Sequence, residues 1–169
     1  MSVLIAQPRQ QLTFANGNAF QLELRRRVGE YFRATGRRPR DCWQMYLKTA
    51  ILLADFAVLY ALLVFVAQTW WQGLLLAVAL GLSAAGIGFN IQHDGGHHAY
   101  SNHVWVNKLM AMTLELIGGS SYLWHWKHVV LHHTYVNITG HDTDIALGLL
   151  ARLTPHQRRL PYHRWQHLY

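Results

Sequence analysis

Between Lys48 and Lys108 the chain carries no lysine or arginine, and its only acids are Asp55 and Asp94. A soluble surface needs charge at closer intervals, so this stretch constrains the fold more than any other feature. Two apolar runs lie within it. Thr49 to Thr69 is apolar but for Asp55, Gln68 and its terminal threonines, and it meets the roughly 20-residue length of a helix that crosses a bilayer. Gly73 to Phe89 is a second run at the short end of that range. Lys48 gives the first run a cationic edge and Trp70–Trp71 an aromatic anchor. The pattern predicts a transmembrane helical hairpin with spans over about 49–69 and 73–89 and Gln72 in the turn. No second membrane carboxylate accompanies Asp55, which reads as a residue near the interface or against a neighbouring helix rather than an ion path.

The charge is as segregated as the apolarity. Of a formal net charge of +7, the first 40 residues contribute eight arginines, accompanied up to Leu47 only by Glu23, Glu30 and Asp41. These cations stand beside the apolar block rather than among exposed aromatics, which favours a membrane over nucleic acid as partner. Residues 1–47 read as a cytoplasmic, arginine-rich leader. In it Leu24, Val28, Tyr31 and Phe32 fall at helical spacing, an amphipathic surface helix broken by Gly36 to Pro39. Its arginines put the N-terminus in the cytoplasm, and two crossings return the chain to that face near Asn90. The apolar run starts too late for a secretory signal. Leu109 to Ile117, interrupted by Glu115 and closed by Gly118–Gly119, is too short to span and suits an interfacial helix. Ser120 to Tyr169, rich in His, Trp, Tyr and Arg, reads as a cytoplasmic helical cap. The fold class expected is all-α integral membrane.

All 12 histidines lie between His93 and His167. His93 and His97 are an i, i+4 pair, which on a helix share one face and can bind a common metal. His128 and His132 repeat that spacing, and His133 stands about 100° further round an α-helix, within reach of a second metal. With Cys42 the only cysteine, thiolate zinc and iron–sulfur sites are excluded. Imidazole suits Zn, Cu, Fe and Ni, and five candidate ligands exceed one tetrahedral zinc. Neither cluster has the glutamate base of His-Glu-x-x-His. Asp94, Asp142 and Asp144 could accept the free N–H of a ligating imidazole, Asp142 and Asp144 reading equally as turn residues after Gly140. His98 could add a ligand, and Asn137 closes the second group. His103, His125, His141, His156, His163 and His167 lack ligand spacing.

The stretch Gln92-His-Asp-Gly-Gly-His97, then Trp126-Lys-His-Val-Val-Leu-His-His-Thr-Tyr-Val-Asn137 and Gly140-His-Asp-Thr-Asp144, resembles the first two histidine boxes of the integral-membrane fatty acid desaturases. Arg164-Trp-Gln-His-Leu-Tyr169 also looks like this family, and the likeness covers residues 48–169. Val129 stands where many relatives have Asn, and His98 where a small residue is common; neither is a ligand position. The resemblance implies two non-heme irons held by His93, His97, His128, His132 and His133, with O₂ as co-substrate. It implies removal of two hydrogens from adjacent carbons of an acyl-CoA or acyl-lipid to give a double bond. No heme module or dinucleotide glycine fingerprint is present, so a ferredoxin or cytochrome b5-like carrier is expected to supply electrons.

A histidine-box hydroxylase or ketolase would share these boxes and differ in product. From another class, a His-rich membrane metal- or heme-binding subunit is the competing reading, separable by its optical spectrum. Family relatives add a second hairpin and a third box, Gln-x-x-His-His. Residues 48–169 are therefore expected to be the N-terminal part of a desaturase domain, stopping before that box and inactive alone.

Overall fold

The computed structural model describes Leu12 and residues 18–169. Among the described residues every regular element is helical. The chain divides into a unit ending at Arg38 and a unit beginning at Pro39.

The first unit holds α1 (Ala19–Thr35), none of whose residues is buried. It ends at Gly36, whose φ of +63° is the left-handed conformation glycine adopts without a Cβ penalty. Glu23 accepts from Arg26 and Arg27, and Arg26 also reaches Glu30 at 2.6 Å. These pairs lie on the exposed face that the sequence leaves for solvent.

In the second unit α2 (Trp43–Ala61) runs on through a wider turn at Leu62–Val66. α3 (Trp70–Ile87) likewise continues through Gly88–Gln92 into α4 (His93–Gly96). The two continuous helices, of 24 and 27 residues, are long and apolar enough to cross a membrane. Their sides are open, with Phe65 81% and Leu82 71% exposed, a surface water does not tolerate and acyl chains do. The break between the helices lies three residues earlier than the sequence suggests. Gln72 sits inside the first turn of α3, where its Oε1 accepts from the backbone N–H of Gln68 and Thr69, so the non-helical link is confined to Ala67–Thr69. The second helix also outruns its apolar residues by seven positions. Asn90, the first strongly polar one, is satisfied there by donating to Gly86 O and accepting from Lys48 Nζ.

α5 (Val104–Ala111), α6 (Thr113–Leu116) and α7 (Ser121–Trp124) follow. The apolar patch from Leu109 is thus broken at Met112 into pieces too short to span. α7 continues through His125–His132. From Tyr135 to Leu160 the chain is turns and bends, ended by one tight 3₁₀ segment, Pro161–Leu168. The buried apolar core is small: Ile87, Ile91, Tyr100, Val106 and Ile145.

A polar knot replaces a larger core at the foot of α2. Asp41, itself at φ +55°, accepts from Ser101 Oγ, from the Asn102 N–H at 2.8 Å and from the Tyr46 hydroxyl at 2.8 Å. Tyr100 is fully buried beside it, its hydroxyl 2.7 Å from Thr49 Oγ1 and donating to Met45 O. Asn107 closes the knot by accepting from the N–H of Tyr100 and Ser101. The start of α2 is thereby fixed to the loop that follows α4.

The hydroxyl of Ser101, then the Asn102 N–H and Tyr46, hold the Asp41 carboxyl at about 2 against an ordinary 3.8. A depressed carboxylate stabilises the fold above its unfolded value and loses that contribution as pH falls through the folded one. Thermal unfolding in detergent should show wild-type losing stability between about pH 4 and 2, whereas Asp41→Asn should be less stable at neutral pH and lose less across that window. An unchanged melting temperature in Asp41→Asn at pH 7 would show that the knot contributes nothing.

Candidate metal centre

Two helical segments with wide turns carry the histidines. α4 brings His93 and His97 together, their rings 4.5 Å apart, with the His97 N–H bonded to His93 O. In the second segment the His133 N–H reaches back to His128 O, an i→i+5 bond. A turn of more than four residues lets the fourth and fifth positions both return beneath the first. On an α-helix His133 would point about 100° away from His132; here His132 and His133 lie 5.0 and 5.0 Å from the His128 ring. The helix type, not the spacing alone, puts all three on one face.

The two segments then meet. His128 lies 5.2 Å from His93 and 5.3 Å from His97, and His97 lies 4.7 Å from His133. The nitrogens of His93, His97 and His128 fall within 4.8 Å of one another, as do ligand atoms of His128, His132 and Asp144. All five imidazoles singled out by spacing thus form one cluster.

Carboxylates set their orientation. Asp144 Oδ2 is 2.6 Å from His128 Nδ1, and both oxygens of Asp142 lie 2.9 to 3.0 Å from His132 Nδ1. With Nδ1 donating, Nε2 of each ring carries the lone pair. His97 Nε2 and His128 Nε2 are buried without a hydrogen-bond partner. Leaving such an atom unpaired costs about 1–3 kcal/mol, which a metal ion bound to the lone pair removes. The donor set fits a His-ligated metal, and the orphaned nitrogens are the evidence.

Protonation favours the same use. Burial, reinforced by neighbouring His93 and His133, depresses His97 to about 4 from an ordinary 6.5. Burial and His128 lower His133 as well. At neutral pH these rings are already uncharged, the form that ligates. Burial raises Asp142, but bonds from His132 and from the N–H groups of Asn137 and Asp144 outweigh it and keep the carboxyl below its usual range. Asp144 follows the same pattern, with His128 and Lys127 outweighing burial.

Not every residue named from the sequence joins the cluster. Asp94 Oδ1 stands 4.0 Å from His93 Nδ1, beyond a hydrogen bond. His98, at φ +55°, lines a separate cavity with Lys108 and Tyr122. Asn137 contributes its backbone N–H to Asp142, not its side chain. His163 is buried against Leu149 O, and His141 packs on Tyr135.

Four residues escaped the sequence reading. Trp124 stacks on His128 at 4.7 Å and presents edges to His93 and His97. It can do so only because Gly96 lacks a side chain: a Cβ there would overlap the Trp124 ring. Gly95 has a matching role, since its Cβ would stand 2.6 Å from Ala111 N and 2.8 Å from Asn107 O. The paired glycines inside the first box were the available signal. Lys127 is the fourth, its Nζ 3.1 Å from Asp144 Oδ1.

An apolar cavity of about 790 Å³ leads to the cluster. Ala84, Ala85, Gly88 and Phe89 of the long second helix form one wall, Leu114 and Ile117 another, and His93, Trp124 and His128 its polar end.

Residues 68–169 match the family model for fatty acid desaturase. The chain is 46% identical over 157 residues to the sn-1 linoleoyl-lipid 6-desaturase of Arthrospira platensis, covering 93% of this chain and 43% of the relative. It is 35% identical over 160 residues to the protein of the same name from Synechocystis sp., covering 95% and 45%. To the acyl-lipid (8-3)-desaturase of Physcomitrium patens it is 33% identical over 157 residues, covering 92% and 33%. The chain therefore spans less than half the length of these curated relatives. No solved structure matches it.

Gly95→Ala and Gly96→Ala should each destabilise by about 1–3 kcal/mol, as overpacking does. Gly95→Ala should be the worse of the two, because its clash is with backbone. Thermal melts should show Trp124→Leu offsetting part of the Gly96→Ala loss and none of the Gly95→Ala loss. Additive losses for Gly96→Ala and Trp124→Leu would mean the ring does not occupy that space.

Proposed function

Because the chain belongs to the fatty acid desaturase family, we propose that it carries the metal centre and acyl cavity of an O₂-dependent lipid acyl desaturase. The observation that carries this reading is the convergence of five imidazoles, two with buried unpartnered Nε2 atoms, on the end of an apolar cavity. His93, His97, His128, His132 and His133 would hold two irons. Bound iron supplies the oxidising power that no side chain possesses. The chain's own groups do the rest. Asp144 and Asp142 fix the Nδ1 tautomer and aim of His128 and His132. Trp124 walls the rings from water, and the cavity walls hold the methylenes of the substrate against that end.

Family membership and two apolar helices make this a membrane protein. We place the helices as a hairpin with its arginine-flanked end in the cytoplasm. A 27-residue helix is about 40 Å long against a hydrocarbon core of about 30 Å, so its histidine-bearing end clears the bilayer while the Ala84–Phe89 wall stays near acyl chains. Residues 1–47 form a leader and 48–169 the desaturase region. The relatives' names favour an acyl-lipid over an acyl-CoA. Electrons come from a separate ferredoxin or cytochrome b5-like donor. A hydroxylase or ketolase outcome is not favoured, since the relatives are named desaturases.

The full-length gene, expressed in a host of known lipid profile, should yield a new double bond that mass spectrometry locates in a membrane-lipid acyl chain. His128→Ala should abolish it and lower iron content. Asp142→Asn and Asp144→Asn should weaken iron binding about 10–100-fold while retaining the fold. Iron content and turnover unchanged in His128→Ala would remove the reading.

The cavity gives a second expectation. A Cβ at Gly88 would meet only Ile117 Cδ1, at 3.9 Å. Gly88→Ala should therefore be tolerated, whereas Gly88→Leu should fill the cavity and cut turnover of long acyl chains with iron content unchanged. Equal turnover across chain lengths in Gly88→Leu would place the substrate elsewhere.

A further inference from the structure

The exposed surface of α1 plays no part in the metal centre, yet it is strongly patterned. At 3.6 residues per turn, Phe20, Leu24, Val28 and Tyr31 fall in one narrow stripe with Phe32 at its edge. All four are open, Phe20 at 82% and the others near half. The remaining face carries Arg25, Arg26, Arg27 and Arg33, with one large exposed apolar side chain, Leu22, among them. From residue 18 to 40 there are seven arginines (Arg25, Arg26, Arg27, Arg33, Arg37, Arg38, Arg40) against two acids, Glu23 and Glu30. Both acids are engaged by Arg26 on the polar side, so no carboxylate borders the apolar stripe unpaired.

The covalent tether limits what can cover this stripe. Seven residues, and so eight Cα–Cα steps, separate Thr35 from Trp43, where the first long apolar helix begins. Fully extended, they reach about 27 Å. A helix held that close to a bilayer meets its surface at high effective concentration. A second copy of α1 is a poor occupant, because stripe-to-stripe pairing would bring two strongly cationic helices together. An anionic headgroup layer offsets that charge and takes the stripe into its acyl boundary.

We infer that α1 lies in the interfacial layer of an anionic bilayer, with Phe20, Leu24, Val28 and Tyr31 turned inward and its arginines on the phosphates. The helix is then an in-plane anchor beside the point where the chain enters the membrane, independent of the metal centre.

Spin labelling of the full chain tests this. In a Cys42→Ser background, Leu24→Cys and Arg33→Cys place one label on each face. The protein is reconstituted in phosphatidylcholine vesicles with or without phosphatidylglycerol. With the anionic lipid, the Leu24 label should be accessible to oxygen and shielded from a water-soluble nickel chelate, and the Arg33 label the reverse. Without it, or with Arg25, Arg33 and Arg37 all changed to Gln, the bound-to-free ratio read at Leu24 should fall about 100-fold. Raised salt should act in the same direction. Equal accessibility of the two labels in anionic vesicles would overturn the inference. So would shielding at Leu24 that ignores lipid charge, or that rises with protein density as a protein–protein contact would.

Discussion

Five imidazole rings about 5 Å apart can share that space only while most are uncharged, because like charges at such distances in a half-buried site repel strongly. Much of the second unit serves this condition. Burial keeps His97 and His133 neutral. Two ionised carboxylates, held ionised by their own hydrogen bonds, fix which nitrogen of His128 and His132 carries the proton. What remains are the buried Nε2 atoms of His97 and His128 without protein partners, a donor set that fits a His-ligated metal.

Placing those rings requires two backbones to approach more closely than side chains allow. Gly95 admits α5 and Gly96 admits Trp124. The wide turn at Gly88–Gln92 re-aims the end of the long helix, and the one at His125–His132 gathers three histidines on a face. Such turns store little of their own stability and are found where a site needs residues that α-helical geometry would scatter. The Asp41–Ser101–Tyr100 knot holds the loop after α4 against the foot of α2, so the site is supported by polar contacts where apolar burial is scarce.

The membrane and the site are one design. A helix whose sides are apolar all round finds its solvent in lipid, and only its protruding end needs protein packing. The apolar cavity runs along the small residues Ala84, Ala85 and Gly88 of that helix to His93 and His128. That juxtaposition is what the proposed chemistry demands: an unactivated chain brought to a strong oxidant without passing through water.

The sequence by itself determined the two apolar helices, the five histidines and the family, because hydropathy and i, i+4 spacing are local properties that survive without coordinates. It also marked Asp142 and Asp144, though it left them balanced between turn and imidazole partner. That choice needed His128 and His132, which lie 16 and 10 residues away, and only folding brings them together. The helices run past the expected spans to take in Gln72 and Asn90, because their polarity is satisfied by contacts invisible to hydropathy. Trp124 went unseen for a similar reason: an aromatic among many carries no mark of the glycine it will cover. Tertiary structure alone decided that His133 converges with His132 and that His98 and Asp94 stand apart. The physical reason is that ring position depends on turn width and on the shape of a neighbouring helix, and neither is encoded in the spacing of the residues themselves.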